Sequence, residues 1–187
     1  MGMLEIFATI FTVACVLLAN VRSTWQYPIG VIGTTLFFFL FWQIGLYSSA
    51  VLQILFCAVQ IYGWWFWLKG DNGNKPKIKA FDFYKWGAGA LIGTLFLGAG
   101  IGHLVGTFSG AAMPTMDAQI LSFSLLAQFM LDRKIKENWL VWAIVNAVSV
   151  YVYASQGLMI TTILYAGLFI NAFVGYFLWN REYKGYA

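Results

Sequence analysis

The chain has 187 residues, of which 61% are hydrophobic and only 10% are charged, with 11 basic and 7 acidic side chains. An ordinary soluble domain is about 25% charged, so this chain cannot cover a water-facing surface, and its mean hydropathy of +0.75 agrees. The composition excludes soluble enzymes and nucleic-acid-binding proteins and indicates an integral membrane protein. No basic residue precedes the first apolar run, so we expect that run to be retained rather than cleaved as a signal peptide.

Apolar runs that approach the length of a membrane-spanning helix, about 20 residues, occur seven times. They are predicted at Leu4–Asn20, Pro28–Leu46, Ala50–Leu68, Tyr84–Val105, Met113–Leu131, Trp139–Ala154 and Leu158–Trp179. Spanning strands would be shorter and would alternate polar with apolar residues. The predicted fold is therefore an all-α membrane protein with seven transmembrane helices.

The basic residues are distributed unevenly between the connecting loops. The loops 47–49, 106–112 and 155–157, which would share a side with the N-terminus, contain no Lys or Arg, so all 11 basic residues fall on the opposite side. Short loops rich in Lys and Arg stay in the cytoplasm. The sequence predicts the N-terminus outside and the C-terminus inside, and the basic run at 75–79 is interpreted as a topological determinant rather than a binding patch.

An internal repeat is predicted from the third and seventh segments, which match at an offset of 112 residues. The offset places Gly63 on Gly175 and Trp67 on Trp179, and further back it places Gln26-Tyr27 on Asn138-Trp139. We predict a parallel 3+1+3 repeat within a single transporter domain, 1–187. Its parts are repeat one at 4–68, a glycine-rich linker helix at 84–105 that serves mainly for packing, and repeat two at 113–179.

Groups for catalysis are scarce, which argues against an enzyme. The one histidine is His103, the two cysteines lie in apolar runs, and no nucleophile, metal or phosphate-loop motif is present. The carboxylates nearest the membrane, Glu5, Asp117 and Asp132, lie at segment ends and are interpreted as structural or interfacial. Since no chain of ionisable groups crosses the core, ion coupling is disfavoured, and no cofactor or metal is expected.

Amide side chains at membrane depth are the more informative polar groups. They are Gln43, Gln53, Gln60, Gln128, Asn146 and Asn171. An unpaired amide in hydrocarbon is costly, so each faces a neighbouring helix, a cavity or a ligand. Together with the many tryptophans they favour a site for a flat polar ligand, because aromatic faces stack heterocyclic rings. Trp142 and Asn146 are four residues apart and therefore neighbours on one helix face.

Several motifs resemble the PnuC family of bacterial vitamin-precursor transporters. They are YPIGVIG (27–33), GLYSSAVLQ (45–53), IYGWWFW (61–67), SLLAQ (124–128), ENWLVWAIVN (137–146) and GLMITTILY (157–165), and the resemblance runs from Leu4 to Trp179. It implies a fold similar to that of SWEET sugar transporters, facilitated diffusion and assembly as a homotrimer. It also implies substrate-binding roles for Gln53, Tyr62, Trp65, Ser124, Gln128, Trp139, Trp142 and Asn146.

The predicted function is that of a multi-pass uniporter in the bacterial inner membrane that takes up nicotinamide riboside for NAD synthesis. Alternating access would come from rocking of the two halves about a midplane site. Uptake of thiamine or riboflavin by the same fold is the alternative within this class. A membrane ligand-binding protein without a transport cycle is the alternative from another class. The expected partners are the substrate and the lipid bilayer, with no nucleic acid.

Overall fold

The computed structural model describes residues 2–43, 47–70, 77–108, 114–155 and 159–185. Within these ranges the chain forms seven α-helices and one π-helical turn, Phe83–Gly87. The helices are α1 (Gly2–Asn20), α2 (Gln26–Gln43), α3 (Tyr47–Gly70), α4 (Ala88–Phe108), α5 (Pro114–Asp132), α6 (Asn138–Ser155) and α7 (Met159–Lys184). Four helical stretches in the described ranges are long and apolar enough to cross a membrane: Gly2–Asn20, Phe83–Leu104, Asn138–Ser155 and Met159–Lys184. The predicted all-α membrane fold with seven helices is confirmed.

Helix α7 extends past Trp179, the predicted end of the seventh apolar segment. Helix α7 continues to Lys184 and carries Arg181 and Lys184 in its last turn. Hydropathy reports where lipid ends, whereas the helix continues because cations near a helix C-terminus interact favourably with its dipole. The ends predicted at Leu46, Met113 and Leu158 lie outside the described residues.

The chain divides into two compact units, Met1–Lys77 and Ile78–Ala187. In the first unit α2 packs against both α1 and α3. A side chain at Gly30 of α2 would collide with Cys15 on α1 and with Gln60 on α3, so this glycine allows α2 to approach both neighbours. Tyr27 and Trp67 join α2 to α3 through an edge-to-face ring pair, with centroids 5.4 Å apart and planes at 77°.

A tight turn joins α1 to α2. Arg22 adopts a left-handed backbone conformation, with φ of 55°. The N–H of Arg22 donates to the carbonyl of Ala19 at 3.0 Å, and that of Ser23 donates to the carbonyl of Leu18 at 2.9 Å. This pair of bonds is the Schellman pattern that ends many helices, in which the left-handed residue is usually glycine.

The second unit builds a similar arrangement from α5, α6 and α7. Helix α6 packs against α5 and α7, and Lys134, with φ of 65°, ends α5. Its N–H donates to the carbonyl of Leu131 at 2.8 Å, and that of Ile135 donates to the carbonyl of Met130 at 2.9 Å. The turn that follows α5 therefore has the same hydrogen-bond pattern as the turn that follows α1.

Trp139 fixes the contact between α6 and α7. Its ring meets that of Trp179 edge to face, with centroids 5.8 Å apart and planes at 86°. A Cβ placed at Gly175 would lie 2.5 Å from atoms of the Trp139 ring. The indole is therefore seated on the bare backbone of α7, which is possible only because residue 175 is glycine.

Helix α4 packs against α5 along one row of glycines. A Cβ at Gly98 would lie 2.6 Å from the side chain of Gln119, and one at Gly102 would lie 2.9 Å from the Cα of Thr115. Glycines four residues apart on one face allow close approach of helices in lipid. Gly89 and Gly93 have open space around them instead, so only part of the glycine content of α4 serves packing within the described residues.

The connector Ile78–Phe81, which leads into α4, is fastened to the turn between α5 and α6. The N–H of Lys79 donates to the carbonyl of Lys134 at 2.8 Å, and that of Lys136 donates back to the carbonyl of Lys79 at 3.0 Å. Glu137 Oε2 accepts from the N–H of Phe81 at 2.8 Å. Glu137, the first residue of the motif at 137–146, therefore links this connector to the start of α6.

The seating of Trp139 on Gly175 leads to a stability prediction with a control in the same helix. We expect Gly175→Ala to lower the free energy of unfolding by about 1–3 kcal/mol, because the added methyl must displace a packed ring. Gly167→Ala adds a methyl in open space on α7 and should be neutral or stabilise by up to about 1 kcal/mol through helix propensity. Unfolding of both variants in detergent, followed by far-UV circular dichroism, checks this. Equal effects would show that the contact is unimportant.

Candidate functional site

A polar stripe runs along α5 toward the α5–α6 turn. It consists of Ser124, Gln128 and Asp132, which follow one another at four-residue spacing and so share a helix face. Ser124 and Asp132 are buried, and Gln128 is half-buried. The Ser124 hydroxyl donates to the carbonyl of Ile120 at 2.6 Å, and Gln128 Nε2 donates to Asp132 Oδ1 at 3.1 Å.

A second polar stripe follows α6 and contains Trp142, Asn146 and Ser149. Asn146 is only 4% exposed. Ser149 is fully buried, and its hydroxyl has no partner among the described residues. A buried hydroxyl without a partner is unusual in a folded protein, since such groups normally find one.

The two stripes lie at matching depths because α5 and α6 are packed together and joined by a short turn. Gln128 is four residues before the end of α5 and Trp142 is four residues after the start of α6, so each lies about 6 Å from its helix end. Ser124 and Asn146 are each one turn further from the α5–α6 turn. The structure thus places four of the predicted site residues at matching depths on two packed helices: Ser124, Gln128, Trp142 and Asn146.

Trp139 occupies a different position from the rest of this group. It is buried against Gly175 and Trp179, so its ring has a packing role between α6 and α7. Its role in binding substrate stays a prediction.

The three candidates in the first unit lie on α3 and are spread along it. Tyr62 is 41% exposed and Trp65 is 51% exposed. Their ring centroids are 6.1 Å apart, and Lys69 Nζ lies 4.6 Å from the Trp65 centroid. Gln53 is half-buried and nine residues before Tyr62, about 13 Å along the helix. The structure does not bring Gln53 next to Tyr62, and aromatic rings beside a lysine near a helix end are typical of the membrane interface.

Two residues of the polar stripes, Asp132 and Ser149, are not among the predicted site residues. Asp132 was interpreted as structural or interfacial, whereas the structure shows its carboxylate buried and bonded to Gln128. Ser149 escaped notice because serine is common in helices, although its three-residue distance from Asn146 placed it on the same face. The other ionisable candidates lie elsewhere: Glu5 and Asp117 are half-buried in the first turns of α1 and α5, and His103 is exposed on α4.

Seven helices within the described residues, with four stretches apolar enough to cross a bilayer, are the architecture of a polytopic membrane protein. Comparison with known proteins supplies the family. The family model described as "Nicotinamide mononucleotide transporter" matches residues 2–181, and the chain belongs to that family.

Individual relatives are similar over most of the chain. The nicotinamide riboside transporter PnuC of Escherichia coli is 29% identical over 201 residues, covering 94% of this chain and 84% of the relative. The riboflavin/roseoflavin transporter RibM of Streptomyces davaonensis is 25% identical over 150 residues, covering 77% of this chain and 68% of the relative. The crystal structure of the vitamin B3 transporter PnuC shares the fold, with a TM-score of 0.85 at 21% identity, covering 100% of this chain and 84% of that one.

Proposed function

We propose that this protein takes up nicotinamide riboside by facilitated diffusion, as a uniporter of the bacterial inner membrane. The observation that carries the proposal is the pairing of Trp142 with Asn146 on one face of α6, at the same depth as the polar stripe of the neighbouring helix α5. An indole face attracts a cationic ring, and the nicotinamide ring of the riboside is a cation. The amides of Asn146 and Gln128 supply hydrogen bonds for its carboxamide and ribose.

The riboside is favoured over the mononucleotide named in the family description. Between Pro114 and Asp132 and between Asn138 and Ser155 the chain contains no Lys or Arg. A phosphate buried there would lack the cationic partner that phosphate sites normally provide.

Riboflavin is the second candidate substrate, and the similarity to RibM favours it. Titration of the purified protein with nicotinamide riboside, nicotinamide mononucleotide, riboflavin and thiamine, followed by thermal unfolding, separates the candidates. A ligand at 100 times its dissociation constant stabilises by about 2.7 kcal/mol. We expect nicotinamide riboside to reach that stabilisation at a lower concentration than the other three ligands. Stabilisation by riboflavin alone would overturn the assignment.

The proposed topology has the N-terminus outside and the C-terminus in the cytoplasm, which the segregation of all 11 basic residues supports. We expect a reporter fused after Ala187 to read as cytoplasmic and one inserted between Ser155 and Gln156 to read as periplasmic, because short basic loops are retained inside. Paired fusions to alkaline phosphatase and green fluorescent protein make this measurement. Both sites on one side of the membrane would contradict the seven-span arrangement.

The proposed parallel repeat relates α1–α3 to α5–α7, with α4 as linker. It is supported by three features that recur at the offset of 112 residues. These are the left-handed residues Arg22 and Lys134, their matching pairs of backbone hydrogen bonds, and the edge-to-face pairs Tyr27–Trp67 and Trp139–Trp179. Assembly as a homotrimer stays a prediction, which light scattering of the detergent-purified protein would check.

A further inference from the structure

The hydrogen bond between Gln128 and Asp132 determines which end of the Gln128 amide is available. An ionised carboxylate can only accept hydrogen bonds, whereas a carboxamide donates through nitrogen and accepts through oxygen. Gln128 Nε2 donates to Asp132 Oδ1 at 3.1 Å, so the amide nitrogen is turned toward Asp132. The carbonyl oxygen, Oε1, therefore points away from Asp132 and is left as the group that a ligand would meet.

Asp132 is well suited to hold this orientation. Its side chain is 1% exposed and lies one helical turn from Gln128, so it cannot swing into water and release the amide. Hydrogen bonds in which one partner is ionised are also the stronger ones.

We propose that Asp132 is a positioning residue that makes Gln128 a hydrogen-bond acceptor for the carboxamide N–H of the nicotinamide ring, and thereby selects the amide over the corresponding acid. This rests on the proposed function. Gln128 is assigned to the carboxamide because it lies at the same depth as Trp142. A ring stacked on Trp142 places its substituent at the level of Gln128 and its ribose one turn away, near Asn146 and Ser124.

The same arrangement excludes nicotinic acid riboside, which carries a carboxylate in place of the carboxamide. That carboxylate would face the Gln128 oxygen rather than a donor. This contact is unfavourable, since a desolvated anion needs donors or a cation. The structure therefore predicts selectivity from two neighbouring residues on one helix.

The test compares the dissociation constants of nicotinamide riboside and nicotinic acid riboside, measured by isothermal titration for wild type and variants. Asp132→Asn removes the charge and offers Gln128 either an oxygen or a nitrogen, so the amide is free to turn. We expect the ratio of the two constants to shift toward the acid by roughly tenfold, the equivalent of about 1.4 kcal/mol. A parallel loss of affinity for both ribosides, or an unchanged ratio, would overturn the proposal.

A double variant tests the direction of the hydrogen bond. In Asp132→Asn combined with Gln128→Glu, the new glutamate can only accept, so it again presents an acceptor to the ligand, and the pair keeps its single negative charge. We expect the preference for nicotinamide riboside to return, because the pair again presents an acceptor to the ligand and carries a single negative charge. A ratio that stays at the single-variant value would contradict the proposal.

Gln128→Leu decides the matter should the Asp132 variants fail to fold. It removes the acceptor while leaving Asp132 in place, and we expect selectivity to fall by roughly tenfold. Unaltered selectivity in this variant would overturn the proposal. Failure of the wild type to bind nicotinamide riboside at all would instead reject the proposed function, so the two failures are distinguishable.

Discussion

Replacing Trp142 with alanine is expected to weaken the binding of nicotinamide riboside on the order of 100-fold or more. Stacking of a base on an aromatic side chain contributes about 1–3 kcal/mol, and a desolvated cation–π contact adds about 2 kcal/mol. Isothermal titration of the purified variant measures the loss. The matched control is Trp86→Ala, which removes a tryptophan that is 59% exposed and lies outside the polar stripes; it should bind as wild type does.

The two contributions of Trp142 can be separated with a neutral ligand. Dihydronicotinamide riboside keeps the carboxamide and ribose but has no charge on the ring. Wild type should prefer the cationic riboside by roughly tenfold or more, in keeping with a cation–π contact of about 2 kcal/mol, and Trp142→Ala should lose that preference. If Trp142→Ala binds the riboside as tightly as wild type, the stacking surface is not on α6.

Asn146→Leu is expected to weaken binding by roughly 5- to 100-fold, because a polar group of the ligand is left desolvated without its partner at a cost of about 1–3 kcal/mol. The leucine is similar in size, so the fold should be preserved. Unlike Trp142→Ala, this variant should retain the preference for the cationic over the reduced riboside. Titration with both ligands measures the loss of affinity and the preference for the cationic riboside in one experiment.

Ser149→Ala is the matched control for Asn146. It lies on the same face of α6, one turn further along, and its hydroxyl has no partner among the described residues. We expect it to bind nicotinamide riboside as wild type does. An equal loss in Ser149→Ala and Asn146→Leu would mean that the polar face of α6 acts through packing rather than through a specific hydrogen bond.

Much of the fold could be predicted from hydropathy, because a helix that spans a bilayer needs about 20 mostly apolar residues. The helix ends were less predictable: α7 continues for five residues past Trp179, where polar side chains end the hydropathy signal but not the helix. The left-handed residues at Arg22 and Lys134 could not be foreseen, since bulky side chains disfavour that conformation and glycine normally marks it. Only the hydrogen bonds of each turn reveal why it is adopted.

The candidate site was predictable in part, for a different reason. The four-residue spacing of Trp142 and Asn146 marks a shared face in any helix, so sequence reasoning identified it. The packing of Trp139 depends on Gly175, which is distant in the sequence, and the proposed role of Asp132 depends on the orientation of the Gln128 amide. Contacts of these two kinds exist only in the folded chain, and composition and spacing do not encode them.

Uptake of labelled nicotinamide riboside into sealed proteoliposomes tests the central claim most directly. With the membrane potential held at zero, we expect saturable uptake that stops when the inside and outside concentrations are equal, and counterflow that is unchanged when ionophores collapse proton and sodium gradients. Saturable binding with no ligand inside the vesicles would show a binding protein rather than a carrier. A several-fold loss of counterflow with ionophores would contradict facilitated diffusion and implicate Glu5, His103 or Asp117 in coupling.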